Sequence, residues 1–202
     1  MTPLERFEAL CFSQVPAEKP WEPVTDYSFS ARTAIEGEHP DRITATFGTG
    51  PYLDYGCGPD AILIRLLRER GVIAWGIDPI LKDEWKVFSP DWLVDGFSRK
   101  RWPVVMCREV LEHLTFRDLH ATVKELCGRS RQFVYVTTRF AKDPSHLLNV
   151  DTSDDLDPTH ITMLTQDFLR VLFVLEGFKR RADLEEQLDW MKKGRVLVYE
   201  RV

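Results

Sequence analysis

The chain has 202 residues, of which 44% are apolar and 29% charged, with a formal net charge of -5. That length fits one domain with a sizeable core, and the balance excludes disordered, collagenous and membrane-inserted classes. The negative charge also argues against an extensive nucleic-acid footprint, and reads Arg99-Lys-Arg101 and Lys179-Arg-Arg181 as solvated surface.

Residues 2 to 12 carry helical spacing of Leu4, Phe7, Leu10 and Phe12, after which prolines at 16, 20, 23 and 40 interrupt any long element. Residues 1 to 41 therefore read as a helix and an irregular arm packed on a domain spanning 42 to 202. Trp21, Tyr27 and Phe29 make that arm too aromatic for a disordered tail. Cys11, Cys57, Cys107 and Cys127 lack CxxC spacing and read as reduced thiols, and no leader pattern is apparent, so a cytoplasmic protein is expected.

From residue 52 strands and helices alternate. Strands are expected at 52–55, 72–77, 86–88, 102–106 and 132–137, and helices at 60–70, 116–127 and 165–176, the helices stopping at Gly71, Gly128 and Gly177. This rhythm implies an α/β fold with a doubly wound, mostly parallel sheet covered on both faces. Strands at 178–182 and 195–202 follow, joined by a connection of weak helical character. So short a link favours an antiparallel hairpin over another crossover.

The segment Tyr52-Leu-Asp-Tyr-Gly-Cys-Gly-Pro-Asp-Ala61 runs a short strand into a glycine turn and a helix N-terminus, which suits a nucleotide-like cofactor. Gly56-Cys57-Gly58-Pro-Asp-Ala61 matches G-x-G-x-x-A, and Asp78 lies 22 residues after Gly56, where a ribose-binding acid belongs. The spacing alone admits a nicotinamide cofactor and an oxidoreductase. Asp54 and Asp60, however, place negative charge where a pyrophosphate would approach, at a cost on the order of a few kcal/mol. S-adenosylmethionine is a zwitterion without phosphate: Asp54 can accept from its ammonium, the turn N–H groups and helix dipole can face its carboxylate, and Asp78 can take both ribose hydroxyls.

Asp54-Tyr-Gly-Cys-Gly58, Asp78 and Val104-Val-Met-Cys-Arg-Glu-Val-Leu-Glu-His-Leu114, in this order and spacing, resemble the motifs of class I S-adenosylmethionine-dependent methyltransferases, in the type 11/12/23 domain group. The resemblance spans about residues 45 to 202 and implies a Rossmann-like, seven-stranded sheet with the antiparallel hairpin last. It also implies that Asp54, Gly56, Cys57, Gly58, Asp78 and Pro79 hold the cofactor. Asp91 and Trp92 would contact the adenine, and the backbone around Cys107 the methionine end. The family's third glycine is replaced by Asp60.

Methyl transfer is an in-line displacement, and a hydroxyl acceptor must also lose its proton to a base or a metal-lowered pKa. If Glu109-Val-Leu-Glu112-His113 starts a helix, Glu109, Glu112 and His113 share a face. With His160 they form a candidate Mg²⁺ or Mn²⁺ site, and either histidine is a candidate base. Glu-x-x-Glu-His with a distal His is similar to RNA 3′-terminal 2′-O-methyltransferases, and the run itself to quinone-biosynthesis O-methyltransferases. The insert 140 to 162 carries Asp143, Asp151, Asp154, Asp155 and Asp157, which would repel phosphates and so disfavours RNA. The reading is S-adenosylmethionine-dependent O-methylation of a small, neutral or cationic acceptor or a polyol. The RNA methyltransferase, the nicotinamide oxidoreductase and a non-catalytic methyltransferase-like binding subunit stand as alternatives.

Overall fold

The computed structural model describes residues 38–79, 83, 101–140, 160, 162, 164–189, 192 and 194–202. In chain order the elements are α1 (His39–Phe47), β1 (Tyr52–Tyr55), α2 (Ile62–Glu69), β2 (Ala74–Ile77), β3 (Trp102–Arg108), a 3-10 turn (Leu111–His113), α3 (Phe116–Arg129), β4 (Ser130–Thr137), α4 (Gln166–Leu175), β5 (Phe178–Arg180), α5 (Ala182–Leu188) and β6 (Val196–Arg201). The six strands form one sheet in the order β2-β1-β3-β4-β6-β5. The first four run parallel, and β6 lies antiparallel to both β4 and β5. This is the expected parallel sheet with an antiparallel end. Six strands are described where seven were expected, and the missing one, at 86–88, lies outside the described residues, as do the helix at 2–12 and most of the insert 140–162.

Strand alternation divides the core between the two faces of the sheet. Leu53, Val105, Cys107, Val134, Val136, Leu197 and Tyr199 face one side, where α3 supplies Leu119, Val123 and Leu126 and α4 supplies Leu169 and Phe173. Tyr52, Ala74, Val104, Met106, Tyr135 and Val198 face the other, against Ile43 of α1, Leu63, Ile64 and Leu67 of α2 and Leu188 of α5. Each fully buried aliphatic side chain here contributes about 1.5–3 kcal/mol. The ring of Phe173 stacks on Tyr199 with centroids 4.0 Å apart, fastening α4 to β6.

Three local readings change. Pro40 does not interrupt the chain but sits in the first turn of α1, where a proline loses no helical hydrogen bond, so a helix crosses the boundary drawn at residue 41. Gly128 does not end α3, which continues to Arg129 and passes directly into β4 at Ser130. The connection between β5 and β6 contains the short helix α5, held by Glu185: its carboxylate accepts from Arg180 Nε at 2.9 Å and from the backbone N–H of Val198 at 3.1 Å. Thr115 and Thr165 cap α3 and α4 through bonds from Asp118 N and Phe168 N. Among the described residues no helix is long and apolar enough to cross a membrane.

Candidate active site

The carboxyl ends of β1, β2, β3 and β4 lie along one edge of the sheet, the edge at which ligands bind in open α/β folds. β1 delivers Asp54 there with 2% of its surface exposed, and the chain then turns through Gly56 at φ 79° and Gly58 at φ 75°. The two glycines serve different needs. A Cβ on Gly56 would stand 2.3 Å from Val110 Cγ2, so this position must be bare to let the segment after β3 close over the turn. A Cβ on Gly58 would meet no described residue within 4 Å.

The turn's own donors are largely used within the fold. Gly56 N and Cys57 N both donate to the carbonyl of Ile77, at 2.8 and 3.2 Å, and Gly58 N donates to Asp78 Oδ2 at 2.9 Å. This alters the expected arrangement: N–H groups of 56 to 58 pin the turn to the end of β2 instead of facing a ligand carboxylate, and they fix the Asp78 carboxylate beside the turn. The N-terminus of α2 lies next along the chain. It starts after Ala61, which takes a left-handed conformation and supplies no side-chain cap. Burial and the charges of Asp54 and Asp78 push the Cys57 thiol well up, and its Sγ lies where a Cβ on Gly76 would come to 2.7 Å. Cys107 is fully buried in the core, its thiol also held up by burial. Asp91 and Trp92 lie outside the described residues.

Beyond β3 the structure departs from the expected helix. Glu109 takes φ 51°, a left-handed conformation uncommon for a glutamate, with its N–H bonded to Thr137 O at 2.8 Å. A single 3-10 turn follows, so Glu109, Glu112 and His113 do not line one face of an α-helix. Glu112 is fully buried, and Thr138 Oγ1 donates to its Oε2 at 2.8 Å. Burial and the neighbouring Glu109 charge push the Glu112 carboxyl up to about 8, so it keeps its proton at neutral pH. Burial also opposes ionisation of Glu109, but hydrogen bonds with Glu112 and Thr137 and the charges of Arg195 and Arg108 outweigh it and hold that carboxyl below its usual range.

His160 reaches this turn from the far end of the insert. Thr162 N donates to Glu112 O at 3.0 Å and Thr162 Oγ1 donates to Leu114 O, which sets His160 against His113 with ring centroids 4.7 Å apart. One ligand atom from each of Glu112, His113 and His160 lies within 4.8 Å of the others. Glu109, expected among the metal ligands, is not in that group. On the other face of the sheet, buried His39 of α1 sits 2.6 Å from the hydroxyl of Tyr135, and burial followed by the charges of Arg108 and Arg42 holds its imidazole well below its usual pKa.

What separates this molecule from a nicotinamide-binding domain is the ending of its sheet, where an antiparallel pair replaces another parallel crossover. With the acid before the glycine turn, that is the architecture of the class I S-adenosylmethionine-dependent methyltransferases. The chain belongs to the methyltransferase-domain family, whose model matches residues 32–182. This membership removes the oxidoreductase alternative.

Solved structures agree in fold. Magnesium protoporphyrin IX methyltransferase from Synechocystis PCC 6803, with bound SAH, matches with a TM-score of 0.60 at 14% identity, over 86% of this chain and 84% of that one. A SAM-dependent methyltransferase from Archaeoglobus fulgidus matches with a TM-score of 0.58 at 17% identity, over 87% of this chain and 100% of that one. The 1,6-didemethyltoxoflavin-N1-methyltransferase of Burkholderia thailandensis, with SAH and its acceptor, matches with a TM-score of 0.55 at 14% identity, over 87% and 81%. A comparison with curated proteins gives no match.

Proposed function

We propose that this methyltransferase transfers the methyl group of S-adenosylmethionine to an oxygen of a small-molecule acceptor. The observation that carries the reading is the division of the carboxyl edge: buried Asp54 and half-buried Asp78 flank a glycine turn that has no described residue in front of Gly58, and two imidazoles stand beside the adjoining strand end. S-adenosylmethionine supplies an electrophilic methyl on a sulfonium. Asp54 accepts from its ammonium and Asp78 from its ribose hydroxyls, while the α2 N-terminus complements its carboxylate. His113 or His160 takes the acceptor hydroxyl proton as the oxygen–methyl bond forms and the sulfur–methyl bond breaks.

Isothermal titration with S-adenosylhomocysteine tests the cofactor half. Binding is expected, and no heat and no thermal shift with folded protein would remove the reading. Once an acceptor is found, replacing the acting histidine by Asn should lower kcat by about 10²-fold or more without weakening cofactor binding. The outcome against it is unchanged kcat in both single variants and in the double variant.

The cluster of Glu112, His113 and His160 supports a second reading, in which these three hold a Mg²⁺ or Mn²⁺ ion that makes the acceptor hydroxyl more acidic. Three ligand atoms at that spacing suit one ion, provided Glu112 gives up its proton. His160→Ala would then abolish a metal dependence of activity, and full activity in excess chelator would reject the ion.

A further inference from the structure

The acceptor side of the edge carries arginines that the reaction as described does not use. Register fixes their neighbourhood. Arg108 ends β3 opposite Thr137 of β4, and Thr137 lies opposite Val196 of β6, so three adjacent strands finish at one level, each about 4.8 Å from the next. Arg195 immediately precedes Val196, and its carbonyl accepts from Thr138 N at 3.2 Å. Arg139 follows Thr138. Arg108, Arg139 and Arg195 therefore occupy neighbouring backbone positions where β3, β4 and β6 meet, and Thr138, next to Arg139 in the chain, bonds to Glu112 of the turn that carries His113.

Their compensation is uneven. Arg108 and Arg195 both face the carboxylate of Glu109. Arg139 is half-buried, its Nε is shielded from solvent, and it makes no hydrogen bond or ion pair with any described residue. A partly desolvated guanidinium with no partner among the described residues is costly unless an anion arrives to meet it, and its planar fork suits a carboxylate or phosphate bidentately.

We infer that Arg139 is a specificity-determining residue, binding an anionic group, carboxylate or phosphoryl, on the methyl acceptor. The inference rests on the methyltransferase reading above and replaces the neutral or cationic acceptor that the acidic insert suggested. Arg139 grips the anion and Arg195 adds long-range attraction, while the hydroxyl to be methylated lies toward the histidine pair. Binding energy at the anion thus orients the nucleophile.

The test is an NMR titration of the full chain carrying ¹⁵N-arginine, saturated with S-adenosylhomocysteine, with the Arg139 Nε–Hε signal assigned through Arg139→Gln. Sodium benzoate and inorganic phosphate are the probes, and benzamide is the uncharged control. The Arg139 signal should move saturably with at least one anion and stay still with benzamide. In Arg139→Gln the anion affinity, followed on the Thr138 amide, should fall about tenfold or more, with Arg139→Lys in between and S-adenosylhomocysteine affinity unchanged. Benzoate against phosphate distinguishes a carboxylate acceptor from a phosphoryl one. An Arg139 signal that ignores both anions, or follows benzamide equally, overturns the assignment. Absence of S-adenosylhomocysteine binding would instead defeat the cofactor reading, and the same titration without it still reports on the arginine.

Discussion

The two halves of the carboxyl edge are built differently. The half proposed to hold the cofactor comes from one contiguous stretch: β1, the turn through Gly56 and Gly58 and the start of α2, with Asp78 pinned alongside by Gly58 N. The half proposed to receive the acceptor is assembled from four places, namely Arg108 to His113, Thr138 and Arg139, His160, and Arg195, joined only after the strands have paired. A contiguous site is set by local backbone geometry, whereas a dispersed one depends on register. A one-residue slip between β4 and β6 would exchange the residues at the acceptor side and leave the glycine turn intact.

The change that should break this separation most severely is Gly56→Ala. Its Cβ would clash with Val110 of the segment after β3, and its φ of 79° disfavours any side chain. A loss of about 2 kcal/mol or more in a urea melt is expected, with both cofactor and acceptor binding impaired. Gly58→Ala is the sharper contrast: with no described residue within 4 Å of its Cβ it should cost only about 1 kcal/mol of stability yet obstruct the proposed cofactor. Equal stability losses at the two glycines would contradict the roles given them.

Asp54→Asn should keep the halves apart. Removing the charge at the buried end of β1 is expected to weaken S-adenosylhomocysteine binding by about 10-fold to 100-fold by calorimetry, while the acceptor side is untouched. Thr138→Val is its mirror image. It deletes the hydroxyl that donates to Glu112, at a cost of about 1–3 kcal/mol in thermal or urea unfolding, and leaves cofactor affinity as it was. If Thr138→Val alters cofactor affinity as strongly as Asp54→Asn does, the two halves are one cooperative unit.

The smallest effect is on pH dependence and reports on α1. His39 has its imidazole pKa depressed below 6.5 by burial, then Arg108 and Arg42. A depressed pKa means that the unfolded chain binds the proton more readily, so the stabilisation is present above about 6.5 and is lost as pH falls toward the folded value. Unfolding midpoints of the parent protein should drop from pH 7.5 toward 5.5 more steeply than those of His39→Asn. Parallel curves would show that His39 is not the titrating group.

This contrast also explains what the sequence made legible. Strands β1, β3 and β4, helices α3 and α4 and the antiparallel finish follow from apolar periodicity and connection length. The glycine turn was readable because Asp54, Gly56 and Gly58 are near neighbours in the chain. Helix α1 is not legible, because Pro40 among the upstream prolines reads as a breaker; a proline in the first turn is equally a starting signal. The left-handed Glu109 was also hidden, since a Glu-x-x-Glu-His run scores as helix and only the bond from Glu109 N to Thr137 O reveals the bend. Arg139 and Arg195 carry no motif. The available signal was weaker: each stands at the boundary of an apolar strand, Arg139 after the end of β4 and Arg195 before the start of β6.

The Sγ of Cys57 occupies the space that a side chain at Gly76 would need, with Ile64 Cγ1 closing the same gap at 3.1 Å. The two positions are 19 residues apart in the chain but share one volume. Among relatives they should covary, a bulkier residue at one accompanying a smaller residue at the other. Gly76→Ala, damaging alone, should be partly rescued by Cys57→Gly, turning a packing contact beneath the cofactor turn into a measurable epistatic pair.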